Sequence, residues 1–251
     1  MVKVTFVIPT YNCAKYVTRA IDSCLGQTYK DFEIIVVDDG STDGTREMLI
    51  DKYQGKNLPI MIHTKNNGGT ASALNTGIKW AKGEFIHWLS ADDMLRPEAL
   101  EMILPEIEKR PDVKDCIFYT DYDYIDESDN IILQPFIEKR YPDQQALKTD
   151  LWDHHLGNGS SSMIHRSIFD RIGIFDQDVK YCEDYEFWMR ASLLFGLSLV
   201  LIPGVTLHYR IHSDQLTQTL GTKAAPFIKN CRKHVWLRMT EKQKAAYPYI
   251  E

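Results

Sequence analysis

Short apolar segments alternate with longer amphipathic ones through the first 110 residues of the chain. Residues 3–8, 33–37, 60–63 and 85–89 are rich in β-branched and aromatic side chains, which is typical of strands. Between them, apolar residues recur every three or four positions, as on the buried face of a helix. Repeated strand–helix alternation predicts an α/β fold with a Rossmann-like, mostly parallel sheet flanked by helices.

The fourth predicted strand runs into two adjacent carboxylates, Asp92 and Asp93. An ionised carboxylate is costly to bury without a partner, so we expect the pair just beyond the strand. Open α/β sheets bind their ligands at this end of the strands. Two fixed carboxylates suit a hard cation such as Mg²⁺ or Mn²⁺. In isolation, the pair would more often cap the helix that opens near Pro97.

The loops after the first two strands carry polar side chains that suit a nucleotide. The first loop has neither the glycine-rich motif of dinucleotide folds nor that of phosphate-binding NTPases. It offers Thr10, Tyr11 and Asn12, which can hydrogen-bond or stack on a base. Asp39 follows the second strand, and its acceptor-only side chain could bind the ring N–H of uracil. Taken singly, each of these is more often a turn residue or a cap.

The pattern is less regular after residue 110, where we expect two hairpins. The first joins residues 116–124 to 130–133, and its acidic residues (Asp121, Asp123, Asp126, Glu127 and Asp129) predict a solvated turn rather than a metal site. The second is centred on Pro203-Gly204, with His212 near its end as a candidate metal or phosphate contact. Residues 134–156 are expected to be irregular, and the small residues 157–162 to form a flexible loop that a ligand can approach closely.

A helix that begins near residue 183 carries two carboxylates, Glu183 and Asp184, in its first turn. Carboxylates at this position commonly complement the helix dipole. A carboxylate that faces a pocket can instead serve as a general base. The sequence leaves both interpretations open.

Composition is that of a soluble globular protein, with 251 residues, 44% of them hydrophobic and 25% charged. The net charge of −6 argues against a general nucleic-acid binder. The five cysteines form no Cys-x-x-Cys, which predicts reduced thiols rather than a zinc site or disulfides. The chain shows no signal peptide and no apolar run of membrane-spanning length, so we expect a cytoplasmic protein.

In this order and spacing, the motifs resemble the family 2 glycosyltransferases of the GT-A fold. The resemblance extends from residue 4 to about residue 217, and it is carried by residues 7–12, 34–43, 67–69 with Asn75, 89–93, 173–176, 183–184 and 209–212. It divides the chain into a glycosyltransferase domain (1–217) and a C-terminal helical tail (218–251). Residues 1–110 would form the nucleotide-sugar-binding half of that domain and residues 111–217 the acceptor-binding half.

The resemblance implies an inverting, metal-dependent enzyme that transfers a hexosyl or N-acetylhexosaminyl group from a nucleotide-diphosphate sugar, usually a UDP-sugar. The residues implied in nucleotide binding are Pro9, Thr10, Tyr11, Asn12, Asp39, Asn67, Gly69, Asn75 and Asp92. Mn²⁺ or Mg²⁺ would be held by Asp93, Asp92 and His212. Asp184 would be the catalytic base, with Glu183 beside it.

The chain departs from the family pattern at two positions. Ser90 replaces the frequent first aspartate of the metal motif, so the metal is expected on Asp93, with Asp92 nearer the ribose or sugar. Leu74 replaces the arginine that often precedes Asn75, which removes one expected diphosphate or sugar contact.

The implied acceptor is a growing surface glycan or a lipid-linked saccharide. The tail bears on this expectation, because residues 227–239 carry an apolar stripe surrounded by lysine and arginine. Such a helix either packs back onto the domain, which we favour, or makes a peripheral contact with an anionic membrane. Two other functions remain open: a non-catalytic nucleotide-sugar-binding protein, and a sugar nucleotidyltransferase, for which a glycine-rich, basic first loop would be expected.

Overall fold

The computed structural model of the protein describes residues 2–249, and eight strands form one sheet within them. The strands are β1 (Val4–Thr10), β2 (Phe32–Asp38), β3 (Ile60–Thr64), β4 (Phe85–Trp88), β5 (Met94–Leu95), β6 (Cys116–Ile125), β7 (Met163–His165) and β8 (Ser198–Arg210). The helices are α1 (Val17–Leu25), α2 (Thr45–Tyr53), α3 (Thr70–Trp80), α4 (Ala99–Glu108), α5 (Gln144–Asp153), α6 (Ser167–Ile172), α7 (Glu183–Met189), α8 (Leu216–Leu220), α9 (Ala225–Leu237) and α10 (Glu241–Ala246).

The first four strands form the parallel sheet that the apolar pattern predicts. Their order is β3-β2-β1-β4, and each neighbouring pair is parallel. Successive side chains of β2 point to opposite faces, so Ile34 and Val36 pack with α1 and α4 while Ile35 and Val37 pack with α3. A strand buried on both faces must be apolar throughout, which explains the uninterrupted run in the sequence.

The second half extends this sheet in the order β4-β7-β6-β8-β5. β7 is antiparallel to both β4 and β6, and β8 is parallel to β6. β6 and β8 therefore run in the same direction as β1–β4, whereas β5 and β7 run oppositely. Six strands thus end at the same edge of the sheet, where the predicted site residues lie.

The predicted hairpin at Pro203-Gly204 is wrong, because residues 198–210 form one strand that continues through both residues, and a register shift against β6 accommodates them. The other predicted hairpin is partly confirmed. Its first arm is β6, and the chain then returns antiparallel to β6, but through isolated bridges at Ile131 and Phe136 rather than a second strand. The stretch expected to be irregular contains α5, which Asp143 caps by accepting a hydrogen bond from the backbone of Ala146.

Two further expectations change because polar side chains are buried. Asp121 and Asp123 are 2% and 1% exposed rather than solvated, and they pair with Arg140 and Arg96. The small-residue segment is a short 3₁₀ turn over residues 159–161 whose side chains are buried, rather than an open loop. Its Gly159 lies so close to Trp88 that a Cβ would be 2.5 Å from the indole ring.

The tail packs against the domain, as favoured from the sequence. Cys231 and Val235 of α9 and Met239 after it join the core that also contains α3 and α7, and Phe227 and Ile228 pack against that core. Residues 250–251 of the predicted tail lie outside the described residues. Over residues 2–249, every helix is too short or too polar to cross a bilayer.

Candidate active site

The loops after β1, β2 and β3 meet at the sheet edge around the carboxylate of Asp39. This side chain is 3% exposed and accepts hydrogen bonds from the backbone N–H groups of Gly68 (3.0 Å) and Gly69 (2.7 Å). The Nζ of Lys65 lies 2.5 Å away. The backbone N–H of Asp39 donates to the carbonyl of Thr10 at 2.8 Å. Asp39 therefore fastens three loops together, and a uracil N–H would have to share or replace the Lys65 contact.

The other side chains of the first loop divide into exposed and structural ones. Tyr11 is 51% exposed, so its ring is free to stack on a ligand. Asn12 has φ +49°, and its side chain accepts from the backbone N–H of Thr42. The Thr10 hydroxyl is buried without a partner. Two further residues of the predicted nucleotide-binding set, Pro9 and Asn67, lie in the loops at the same edge. Pro9 is half-buried, and Asn67 is exposed.

Asn75 has a different position from the one that the family resemblance implies. Its side chain is 8% exposed, and its amide nitrogen donates to the carbonyl of Phe175 at 2.8 Å. Its amide oxygen accepts from the Phe175 N–H at 3.0 Å. Both ends of the amide are thus committed to the backbone of one residue, Phe175. Asn75 joins α3 to the loop before α7 rather than facing a nucleotide.

The end of β4 and the end of β8 bring Asp92 and His212 together. The Nε2 of His212 lies 3.1 Å from Oδ2 of Asp92, and its ring packs on Tyr16 with the centroids 4.7 Å apart. The Asp92 side chain is 23% exposed. Its outward oxygen and the imidazole nitrogen are the donor types that Mn²⁺ and related cations accept. This pair fits a divalent cation that keeps open positions for a diphosphate.

Asp93 faces into the protein instead. It is 1% exposed, its Oδ1 accepts from the backbone N–H of Arg210 at 3.0 Å, and its Oδ2 has no partner. Burial, reinforced by the charge of Asp92, raises the pKa of the Asp93 carboxyl well above its ordinary value. A carboxyl that is buried in this way, facing into the protein, is poorly placed to bind a cation. The geometry therefore favours Asp92 over Asp93 as the primary metal ligand.

Arg210, which the sequence did not single out, holds this corner together. Its guanidinium is fully buried. It donates to the carbonyls of Asp92 (2.7 Å) and Asp126 (2.5 Å), and pairs with the carboxylate of Asp129 at 2.6 Å. It also lies 4.8 Å above the ring of Tyr16. One side chain thus links the loop after β4, the end of β8 and the turn after β6.

The predicted base lies at the first turn of α7. The carboxylate of Asp184 accepts from the backbone N–H of Tyr185 (2.7 Å), and its Oδ2 lies 3.0 Å from Nε2 of His155. Burial raises the pKa of Asp184, but the charge and hydrogen bond of His155 together with the backbone hydrogen bonds outweigh it, so the pKa is below its ordinary value. For Glu183, burial and then the charge of Asp184 raise the pKa to about 7.

Contacts along the chain join these pieces into one site. Thr70, which follows the Gly68-Gly69 loop, lies close enough to Glu183 to lower the pKa of its carboxyl. The backbone N–H of Ser90, just before Asp92, donates to the hydroxyl of Ser160 at 3.0 Å, in the turn that follows His155. The first turn of α7 therefore adjoins the start of α3, and the turn that follows His155 adjoins the loop that leads to Asp92.

A second group of possible metal ligands lies elsewhere. Asp176, Glu186 and His234 bring one ligand atom each within 4.8 Å of one another. Arg190 already pairs with Glu186 at 2.8 Å, and Arg238 with Asp176 at 2.9 Å. Because the two guanidinium groups supply the positive charge, this cluster does not fit a divalent cation. It ties α9 to α7.

Two known proteins are similar to this chain in sequence. An uncharacterised glycosyltransferase of Rickettsia typhi is 39% identical over 221 residues, which are 86% of this chain and 66% of that protein. A chondroitin synthase of Pasteurella multocida is 33% identical over 189 residues, 75% of this chain and 19% of the synthase. The chain thus spans slightly less than two thirds of the first relative and about a fifth of the second.

Solved structures share the fold. S. aureus TarS 1-349 in complex with UDP-GlcNAc superposes with a TM-score of 0.73 at 22% identity, covering 96% of this chain and 69% of TarS 1-349. The same protein in complex with UDP gives a TM-score of 0.65 at 19% identity. The architecture is therefore GT-A. Residues 5–173 also match the family model named glycosyl transferase family 2, and with that match the chain belongs to glycosyltransferase family 2.

Proposed function

We propose that this chain is an inverting glycosyltransferase that moves a sugar from a UDP-sugar to a hydroxyl group of a saccharide or lipid-linked acceptor. The observation that carries the proposal is the contact between the turn that follows His155, the partner of Asp184, and the loop that leads to Asp92. Asp184 would supply a base for an acceptor, and the Asp92–His212 pair would supply ligands for a metal-bound diphosphate.

The chemistry follows from these groups. The acceptor oxygen attacks the anomeric carbon while Asp184 takes the hydroxyl proton, and the bond from that carbon to the diphosphate oxygen breaks. Direct displacement with one carboxylate opposite the leaving group inverts the anomeric centre. Mn²⁺ or Mg²⁺ held by Asp92 and His212 would neutralise the charge that develops on the leaving diphosphate.

The donor assignment rests on loop chemistry and on relatives. Tyr11 offers an exposed ring for stacking, and Asp39 offers an acceptor next to Thr10. TarS has been crystallised with UDP and with UDP-GlcNAc, and relatives include chondroitin and hyaluronan synthases of Pasteurella multocida. These observations support a UDP-linked hexose or N-acetylhexosamine as the donor. We further propose that the enzyme acts in the cytoplasm on a surface-glycan precursor.

The proposal is tested by thermal unfolding with UDP, GDP, ADP and UDP-GlcNAc, each with and without Mn²⁺. A ligand that binds only the folded state raises the melting temperature according to its concentration relative to Kd. We expect a UDP-selective, Mn²⁺-dependent rise that Asp92→Asn abolishes. Asp51→Asn, an exposed change on α2, should retain it. A rise selective for another nucleotide would refute the uracil assignment, and binding without UDP release from UDP-GlcNAc would favour a non-catalytic binder.

A further inference from the structure

His155 faces the carboxylate that the proposed reaction uses as its base. Its Nε2 lies 3.0 Å from Oδ2 of Asp184, and the backbone N–H of Tyr185 donates to Oδ1 at 2.7 Å. Each carboxylate oxygen therefore has one fixed partner and keeps a lone pair for an acceptor hydroxyl. We propose that His155 is a positioning residue that orients Asp184 and keeps it ionised. The inference rests on the proposed function, because it takes Asp184 as the base.

The imidazole is itself held by α7. Its ring packs on that of Tyr185 with the centroids 5.5 Å apart, and Tyr185 is 1% exposed. The Tyr185 hydroxyl is hydrogen-bonded to the carbonyls of Leu151 (2.9 Å) and Trp152 (3.0 Å), near the end of α5. Arg232 of α9 donates to the same hydroxyl at 3.1 Å. The chain leading to His155 is thus anchored to the helix that carries Asp184.

The charges around His155 favour the same role. Carboxylates face the imidazole from two elements: Asp184 and Glu183 from α7, and Glu138 from the segment after β6. Burial lowers the pKa of His155, but these three carboxylates, Asp184 foremost, raise it above its ordinary value. The charged imidazole, whose Nε2 donates to Asp184, is therefore favoured by its surroundings. A donor held in place keeps the carboxylate in one rotamer.

We expect the His155–Asp184 contact to act through the position of the Asp184 carboxylate rather than through stability, because an exposed ion pair adds little stability. The His155 side chain is 42% exposed and that of Asp184 is 21% exposed. A displacement of about 1 Å at a reacting group, however, can cost roughly a hundredfold in rate. During transfer, the acceptor proton passes to Asp184 while the Nε2 proton stays on His155, so the imidazole is unchanged at the end of the step.

Kinetics of UDP release from UDP-GlcNAc with Mn²⁺ provide the first test. We expect His155→Ala to lower kcat by about tenfold to a hundredfold with the donor KM unchanged. His155→Gln keeps a donor without the charge. It should restore most of the plateau rate and move the acid limb of the pH profile to higher pH, because the pKa of Asp184 is no longer depressed. The matched control is His154→Gln, because the neighbouring His154 side chain is 69% exposed.

Each kinetic outcome bears on a separate statement. If Asp184→Asn remains active, the proposed base is wrong. If Asp184→Asn is inactive while His155→Ala equals the unsubstituted protein, only the positioning role is overturned. A purely structural role for His155 would change the melting temperature and donor KM, with no rescue by His155→Gln. If the unsubstituted protein releases no UDP, the UDP-GlcNAc donor is refuted and the next measurement decides the positioning role.

That measurement is an NMR pH titration of the histidine ring protons, which requires no turnover. We expect the titration midpoint of His155 to fall in Asp184→Asn, because the carboxylate that raises its pKa is gone. The midpoint of His165, which faces Glu84 instead, should stay the same. An unchanged midpoint for His155 would overturn the pairing in solution and with it the positioning role.

Discussion

The two halves that we propose bind the donor (the donor side, residues 2–110) and the acceptor (the acceptor side, residues 111–217) differ in what fills their interiors. Over residues 2–110, β1 and β2 are apolar on both faces, and the buried charged side chains are those of Asp38, Asp39 and Asp93. Over residues 111–217 of the described chain, the interior holds buried charges of both signs, at Asp121, Asp123, Glu138, Glu183, Glu186, Arg190 and Arg210. The donor side is organised by burial of apolar area, and the acceptor side by paired charges.

This difference has a physical consequence. Apolar burial has no direction, so a strand of the donor side tolerates many side chains of similar volume. A buried ion pair is specific: Arg190 makes two contacts with Glu186, at 2.8 and 3.0 Å, and loss of either partner leaves an uncompensated charge. We therefore expect substitutions on the acceptor side to have the larger effects.

The largest effect should come from Asp184→Asn. The amide cannot take the acceptor proton, so kcat should fall by roughly 10²–10⁴. Donor binding, measured as the UDP-GlcNAc dissociation constant by calorimetry, should be unchanged because the nucleotide loops are intact. Asp178→Asn, on the loop before α7, serves as the control. If donor affinity fell by the same factor as kcat, Asp184 would also act in donor binding, and the two sides would not have separate functions.

Arg210→Met should produce the next largest effect, on stability. It leaves the carbonyls of Asp92 and Asp126 and the carboxylate of Asp129 without their guanidinium partner, so we expect the free energy of unfolding in urea to drop by about 2–5 kcal/mol. Lys52→Met removes an exposed ion pair with Asp22 and should cost at most about 1 kcal/mol. Similar losses in the two variants would show that buried charge is not what stabilises the acceptor side.

Glu183→Gln should change how stability depends on pH. The pKa of Glu183 rises from 4.5 to about 7 on folding, so between those values the folded state holds a proton that the unfolded state releases. The free energy of unfolding therefore falls as pH rises through this window. Glutamine cannot ionise, so at about pH 8 the variant should be the more stable protein, by at most about 3 kcal/mol.

The comparison at about pH 4 supplies the control for that prediction, because Glu183 is protonated in both states and the two proteins should be equally stable. Glu241→Gln, at a side chain that is 90% exposed, should leave the pH dependence as it is. Stability is measured by urea unfolding between about pH 4 and about pH 8. If the free energy of unfolding of Glu183→Gln followed the same pH dependence as that of the original protein, the raised pKa of Glu183 would be wrong.

The smallest effect is expected from a packing change on the donor side. Gly77 lies in α3 against β1, and an added Cβ would be 2.3 Å from Cγ1 of Val7. Alanine normally stabilises a helix interior relative to glycine. Here overpacking should instead lower the free energy of unfolding by about 1–2 kcal/mol. Lys79→Ala, exposed on the same helix, is the control. If Gly77→Ala were more stable than the original protein, α3 would have moved away from the sheet without a cost in stability, and the expected overpacking would be refuted.

The sequence predicted the donor side well because one physical signal dominates it. A continuous apolar run such as Ile34–Val37 must be buried on both faces, and only a sheet between helices achieves this. The cost of burying an unpaired carboxylate places Asp39 and Asp92 just beyond strands β2 and β4, as predicted. The same rule did not predict that Asp39 and Asp93 are themselves buried.

The acceptor side was predicted less well because its partners are distant in sequence. Pro203-Gly204 has the composition of a turn, but the Gly204 N–H donates to the carboxylate of Asp121, so β8 continues past it. His155 carries no local signal, since its partner is 29 residues away. Helix α5 could have been found from Asp143 followed by Leu147 and Leu151, a cap and an apolar pair at helical spacing.

Arg210 sets a condition on exchanging parts between relatives. A chimera that joined this donor half to another protein's acceptor half would place its junction between Asp93 and the strand that carries Arg210. The guanidinium and the carbonyl and carboxylate groups that it binds come from three separate segments. Both sides of that junction would have to come from the same parent, or a replacement cation would have to be supplied with them. Such a chimera is therefore expected to keep this corner of the fold only when Arg210 and the loop of Asp92 come from the same protein.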